Sequence, residues 1–227
     1  MSLLAVIPAR GGSKSIPRKN IKTLAGKPLI AWTIETALQT QGIDYVIVST
    51  EDKEIASVAK KFGAQVPFLR PSLLAEDDTP GIAPVLHALE QLPGFDWVLF
   101  LQPTSPLRSV DDIEGIIQFC CIQGSPSAVS ISEVSKHPFW MYNLDDHKRL
   151  QPLTPNRPEI LQRQELPSAY VLNGALYLAR TDWLREQGRF IGHGTLGYVM
   201  PAERSIDLDT PQDWDWAEYV IKRNHVK

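Results

Sequence analysis

The chain has 227 residues, which suits one large α/β domain with an embellishment better than two independent domains. Its 43% hydrophobic and 22% charged residues are those of a soluble globular protein, and no apolar run approaches the roughly 20 residues of a membrane span. The balance of 23 basic and 26 acidic residues, a net charge of −3, excludes a nucleic-acid binder that works through a global basic field.

The first element is Leu3 to Ile7, a continuous apolar run suited to a buried strand. The segment before Pro8 is too short for a signal peptide and lacks its basic flank, so a cytoplasmic protein is expected. Pro28 opens a helical pattern of Ile30, Ile34, Ala37 and Leu38. Tyr45 to Val48 reads as the second strand, and Asp52 caps a helix with Ile55, Val58, Ala59 and Phe62 on one face. Val66 to Leu69 is expected as a short strand, followed by a Pro- and Asp-rich loop and a helix with Ile82, Val85, Leu86 and Leu89. Trp97 to Leu101 is another buried strand, and Ser109 caps a helix with Asp111 and Asp112 in its first turn. Cys120 and Cys121 are adjacent, have no metal-ligand spacing, and read as small buried hydrophobes on that helix.

Ala128 to Ile131 closes the regular part. From Glu133 to Ala169 the period is lost, and the stretch is too long for a simple connection. Its apolar residues Phe139, Trp140, Met141, Leu153, Ile160 and Leu161 have no pattern by which to bury themselves, which predicts a partner surface and a homodimer. Strands at Ala175 to Ala179 and Tyr198 to Met200 follow. Thr210-Pro211 then opens a last helix whose apolar face is Trp214, Ala217 and Ile221. Alternating strands and helices predict a mainly parallel sheet with helices on both faces.

Four stretches carry chemistry. Arg10-Gly11-Gly12-Ser13-Lys14-Ser15-Ile16-Pro17-Arg18-Lys19-Asn20 crowds cations and glycines at the carboxyl end of the first strand, where open α/β sheets bind ligands. Glycines let backbone N–H groups approach a phosphate, and the cations neutralise it. The spacing is neither that of a Walker A loop nor that of a dinucleotide fingerprint. Gln102-Pro103-Thr104-Ser105-Pro106-Leu107-Arg108 is a polar strand end held stiff by two prolines. In Ile206-Asp207-Leu208-Asp209, period two puts both carboxylates opposite the apolar pair. Two repelling carboxylates suit a hard cation such as magnesium on a triphosphate. Arg163, ahead of Tyr170, Asn173 and Gly174, has the planar guanidinium that grips a carboxylate at two points.

On these residues the chain resembles the acylneuraminate cytidylyltransferases, or CMP-nonulosonate synthetases, over nearly its whole length. The family's opening Ile-Pro-Ala-Arg-x-Gly-Ser-Lys-Gly-Ile-x-x-Lys-Asn reads here as Ile7 to Asn20. Its Gln-Pro-Thr-Ser-Pro-x-Arg is Gln102 to Arg108, its Arg-Gln-x-x-Pro is Arg163 to Pro167 before Asn173-Gly174, and its Asp-x-Asp is Asp207 to Asp209. Ser15 departs from the family's Gly, at a cost of about 1 kcal/mol if the position needs positive φ.

The resemblance implies a Rossmann-like nucleotidyltransferase fold, one domain over 1–227 with 133–169 as a protruding dimerisation arm. It implies transfer of CMP from CTP to the anomeric hydroxyl of a nine-carbon 2-keto sugar acid, with release of pyrophosphate, for cell-surface glycan synthesis. Arg10, Lys14 and Lys19 would bind the triphosphate, and Asn20 and Arg70 would face cytosine. Gln102, Arg163 and Tyr170 would lie near the acid, and Asp207 and Asp209 would hold Mg2+. Ser13, Arg108 and Asn173 join the expected substrate-binding set, and a ribose-contacting loop falls near Thr79 to Ile82. His137 to Met141 resembles versions that act on legionaminic- or pseudaminic-type acids. The rival readings are a cytidylyltransferase for an eight-carbon acid, a nucleotidyltransferase for a neutral sugar, and a nucleotide-binding protein without catalysis. No nucleic-acid or membrane partner is expected.

Overall fold

The computed structural model describes residues 1–154 and 162–224. Five strands and a long reversed one form the central sheet. Strand β1 (Leu3–Pro8) leads through a loop to the small hairpin of β2 (Thr23–Leu24) and β3 (Lys27–Pro28), then to helix α1 (Leu29–Gln39). Strand β4 (Tyr45–Ser49) and helix α2 (Lys53–Lys61) follow, then helix α3 (Ala83–Gln91), strand β5 (Trp97–Phe100) and helix α4 (Val110–Gln123). Strand β6 (Ser127–Glu133) is separated from strand β9 (Tyr170–Arg180) by the hairpin β7 (Tyr142–Leu144) and β8 (Leu150–Pro152). Helix α5 (Thr181–Gln187), strand β10 (Leu196–Val199) and helix α6 (Pro211–Asn224) complete the chain.

The sheet order is β10-β6-β9-β5-β1-β4. Pairs β1–β4, β1–β5 and β6–β10 are parallel, and β9 alone is reversed against both neighbours. Reversal brings the first half of β9 to the end of the sheet where β1, β4 and β5 release their loops, so Phe100 lies beside Tyr177. One face of the sheet buries Ile34 of α1, Ile55 of α2 and Ile116 of α4; the other buries Val85 of α3 and Leu184 of α5. The α6 face of Trp214, Ala217 and Ile221 packs instead on Leu24, Leu29 and Leu208, beside the small hairpin. That contact anchors the acidic segment ahead of α6.

The local signals did as their chemistry requires. The Asp52 carboxylate accepts from the backbone N–H groups of Glu54 and Ile55 at the start of α2. Ser109 and Asp112 form a reciprocal capping box on α4, and Thr210 and Asp213 repeat it on α6. Three expectations fail. Val66 to Leu69 forms no strand; Gln65 makes a single parallel bridge to Ile47 and the chain then leaves the sheet. Strand β9 starts five residues before the expected Ala175, because it continues along β6 out to Glu133–Tyr170. Cys120 is buried, with burial pushing its thiol up to about 11, whereas Cys121, one helical step on, is exposed.

Beyond the Glu133–Tyr170 pair the chain leaves the sheet, with the Val134 N–H still bonded to the Ala169 carbonyl at 3.0 Å. Every residue of β7 and β8 is exposed, Leu144 and Leu150 among them. Among the described residues no helix is long and apolar enough to cross a membrane.

Candidate active site

A cleft of about 520 Å³ opens at the carboxyl ends of β1 and β5. It gathers Arg10, Ser13, Lys14, Lys19, Asn20, Arg70, Gln102, Asp207 and Asp209 from the expected set, and its far wall is the strap from Leu74 to Gly81. Four cations, Arg10, Lys14, Lys19 and Arg70, converge on one concavity, which is the electrostatic requirement for a polyphosphate.

The two loop glycines serve different ends. A Cβ on Gly11 would stand 2.4 Å from Asp52 Oδ2, so Gly11 lets the loop close on the cap of α2. Its N–H donates to Glu51 Oε1 at 2.6 Å, while Glu51 Oε2 accepts from Arg70 Nε and Nη2 at 3.2 and 3.0 Å. Glu51, which the sequence reading passed over, thus ties the phosphate loop to buried Arg70. It sits at the polar end of a buried strand, the signal that marked the other loops. Gly12 lines the cleft with open space over its Cα. The expected cost of Ser15 does not arise, because the loop's left-handed residue is Arg18, at φ 55°. Its guanidinium pairs with Asp52 and Glu54, and the Arg18 hydrogen bond holds Asp52 down at about 2.

Arg10 and Lys14 each form a 2.8 Å ion pair with Asp77 on the strap, and the Arg10 guanidinium also donates to the Ala75 carbonyl. Lys14 first, then Arg10, lowers the Asp77 carboxyl below its ordinary value. An anionic ligand must take these cations from Asp77. Asp77→Asn is therefore expected to lower KM for CTP severalfold, measured by steady-state kinetics. A raised KM would mean that Asp77 holds the nucleotide instead.

Residues 205–209 lie outside any strand, with Leu208 buried against α6 and its N–H on the Thr104 carbonyl at 2.8 Å. Asp207 and Asp209 both line the cleft on either side of buried Leu208. Burial, then the neighbouring Asp209 charge, raises the Asp207 carboxyl above its ordinary value despite a hydrogen bond from Thr104. Its Oδ1 is buried with no hydrogen-bond partner. Lys19 Nζ donates to the Leu208 carbonyl at 2.7 Å and lies 3.6 Å from Asp209 Oδ1, closing the phosphate loop onto this segment. Among the described residues no group of three or more acidic, His or Cys side chains gathers around a metal position. Two carboxylates, one with an orphaned oxygen, fit a hard divalent cation that takes its other ligands from phosphate and water.

Three of the expected substrate contacts lie off the cleft surface in this chain. Arg108 is only 3% exposed and lies beneath its loop, donating to Ala175 O, Thr33 Oγ1 and Gln102 O. Asn173 is also buried; it accepts from Ser130 Oγ at 2.6 Å and donates to Ser205 Oγ at 2.9 Å, so it holds the strand to the segment carrying Asp207. Tyr170 is exposed at the start of β9 and lines neither cleft. Arg163 begins the turn Arg163–Glu165, and its side chain lies outside the described residues.

A second, mainly apolar cleft of about 530 Å³ adjoins the first and shares Pro80, Gly81, Phe100 and Gln102 with it. Phe100, Tyr177 and Phe190 form its floor, with ring centroids 5.4–5.7 Å apart. Burial, and after it the Asp207 charge, raises the Tyr177 phenol above its ordinary value. Sequence reasoning missed Tyr177 and Phe190, whose aromatic type reads as core.

The profile of the cytidylyltransferase family matches residues 4–179. The chain belongs to that family. It is 40% identical over 233 aligned residues to the CMP-N,N'-diacetyllegionaminic acid synthase of Legionella pneumophila, covering 99% of this chain and 98% of that one. It is 34% identical to a pseudaminic acid cytidylyltransferase of Campylobacter jejuni, again covering 99% and 98%. In fold it is similar to the CMP:2-keto-3-deoxy-manno-octonic acid synthetase solved with CTP, with a TM-score of 0.74, 19% identity and coverage of 99% and 100%.

Proposed function

We propose that this cytidylyltransferase joins the CMP part of CTP to the anomeric hydroxyl of a nine-carbon 2-keto sugar acid bearing acylamino groups, releasing pyrophosphate, to supply cell-surface glycan synthesis. The observation that carries the reading is the junction of the two clefts at Gln102: a cationic cleft that suits a triphosphate, with the acidic pair on its wall, runs into an apolar-floored one. The relatives named for diacetyllegionaminic and pseudaminic acids support the substrate class.

Arg10, Lys14 and Lys19 neutralise the triphosphate and the departing pyrophosphate, which is the main task in phosphoryl-type transfer. Asn20 and Arg70, on the same wall, would face the cytosine. The anomeric oxygen forms its bond to the α-phosphorus as the bond to pyrophosphate breaks, and the hydroxyl loses its proton. Asp207 and Asp209 would hold magnesium, which when bound neutralises phosphate oxygens and lowers the pKa of the attacking hydroxyl. The enzyme would work in the cytoplasm, where CTP is made.

Pyrophosphate release over a panel of purified acids tests the reading. Release is expected with CTP and a nine-carbon acylamino acid, and far less with ATP or with sugar 1-phosphates. Silence with every acid would favour a binding protein without catalysis.

We also propose a homodimer built on 133–169. Trp140, Met141, Leu144, Leu150 and Leu153 are all exposed, a patch of the kind that marks a partner surface. Ile160 and Leu161 lie outside the described residues. Light scattering at micromolar concentration should give twice the chain mass; a monomer would refute this.

A further inference from the structure

The apolar cleft is lined by one charged side chain, Arg189. It follows Gly188, the left-handed residue that ends α5, and precedes buried Phe190, whose ring packs on Phe100 and Tyr177. The backbone at 189 is thus anchored on both sides, while Arg189 itself is exposed and lines the cleft. Among the described residues it has no ion-pair or hydrogen-bond partner. A lone exposed Arg is usually a solvated one. The position of this one, at the end of a substrate cleft farthest from the nucleotide, gives it a task.

Pro80, Gly81, Phe100 and Gln102 belong to both clefts, whereas Leu172, Arg189 and Ile191 line only the apolar one. In a 2-keto sugar acid the carboxylate is bonded to the anomeric carbon, next to the attacking hydroxyl. It must therefore stay at the shared end, near the α-phosphorus. The substituents on the distant carbons reach the other end. An acylamino group there presents a carbonyl oxygen, which accepts from a guanidinium, and a methyl group, which suits Leu172 and Ile191.

We propose that Arg189 is a specificity-determining residue that donates a hydrogen bond to the acyl carbonyl of a distal acylamino group of the sugar acid. This rests on the functional reading above and goes beyond it, by assigning recognition of the acyl group to a named side chain. A site built to hydrogen-bond a substrate rejects the analogue that lacks the acceptor, because its own donor is left unpaired.

The test compares wild type with Arg189→Met, which keeps the stem and removes the donors. Both are assayed with a nine-carbon acid carrying acetamido groups and with the same acid after N-deacetylation. Wild type is expected to favour the acetamido acid. The variant should raise KM for that acid about tenfold, the size of one charged hydrogen bond, with kcat and KM for CTP near wild type. The preference between the two acids should narrow by the same factor. An equal loss on both acids, no loss on either, or a parallel rise in KM for CTP would overturn the role of Arg189. Turnover of neither acid by wild type would instead overturn the functional reading, and this proposal with it.

Discussion

Asp207→Asn is expected to lower kcat by on the order of 10²–10³-fold while leaving the fold intact, the loss being partly relieved at high magnesium concentration. Asparagine keeps the shape of the side chain and removes the charge that a divalent ion requires. The folded chain does not need that charge. Burial raises the Asp207 carboxyl above its ordinary value, and Asp209 adds to the effect. A folded pKa above the unfolded one means that the native state carries a cost at neutral pH. The cost is present above the folded pKa and vanishes as pH falls below the unfolded value. In the absence of magnesium, the variant should therefore melt at or slightly above the wild-type temperature at neutral pH, and the difference should fade toward pH 4. Arg108, which feels the Asp207 charge, retains Asp112 and three acceptors. Asp209→Asn should give a similar rate loss with no change in melting temperature, since Asp209 is 75% exposed. Near-normal turnover of either variant at low magnesium would refute the metal role. A rate loss that follows unfolding would make the carboxylate structural.

Much of this was legible in the sequence where the signal is local. A strand end followed by cations and glycines marked the phosphate loop, and Ser109 and Thr210 ahead of acidic residues marked two helix starts. Asp207 and Asp209 line the cleft although no strand forms there, with buried Leu208 between them. The errors concern which way a polar side chain turns. Asn173 sits where β6 and β9 shift register, between Val129 and Ile131, and next to Gly174 at φ 74°, so period two no longer assigns its face. The strap is the other gap. Asp77 finds Arg10 and Lys14 across 67 and 63 residues of sequence, and no local pattern encodes that meeting.

Arg108 is the larger lesson, and its substitution should be the most damaging to stability. Charge at a strand end beside Gln102 reads as a substrate contact. The side chain turns inward instead and joins three elements: β9 through Ala175 O at 3.0 Å, α1 through Thr33 Oγ1 at 2.8 Å, and its own loop through Gln102 O. Burial pushes its pKa down to about 9, yet it remains cationic at neutral pH, offset by Asp207 and Asp112. Arg108→Met removes the charge and every donor at roughly constant length. It leaves the Thr33 hydroxyl and the Ala175 carbonyl without the Arg108 donor, and the Gln102 carbonyl with only the Ser105 N–H at 3.3 Å. Breaking such a network typically costs about 3–5 kcal/mol. In a chain of this size that corresponds to a fall in melting temperature on the order of 10 °C. Arg108→Lys, which keeps the charge and reaches fewer acceptors, should fall between. Because the Gln102 carbonyl loses its charged donor at the junction of the two clefts, KM should rise for both substrates in whatever fraction stays folded. A wild-type melting temperature combined with a selective loss of sugar-acid binding would show the opposite, that the guanidinium reaches the substrate as its sequence context first implied.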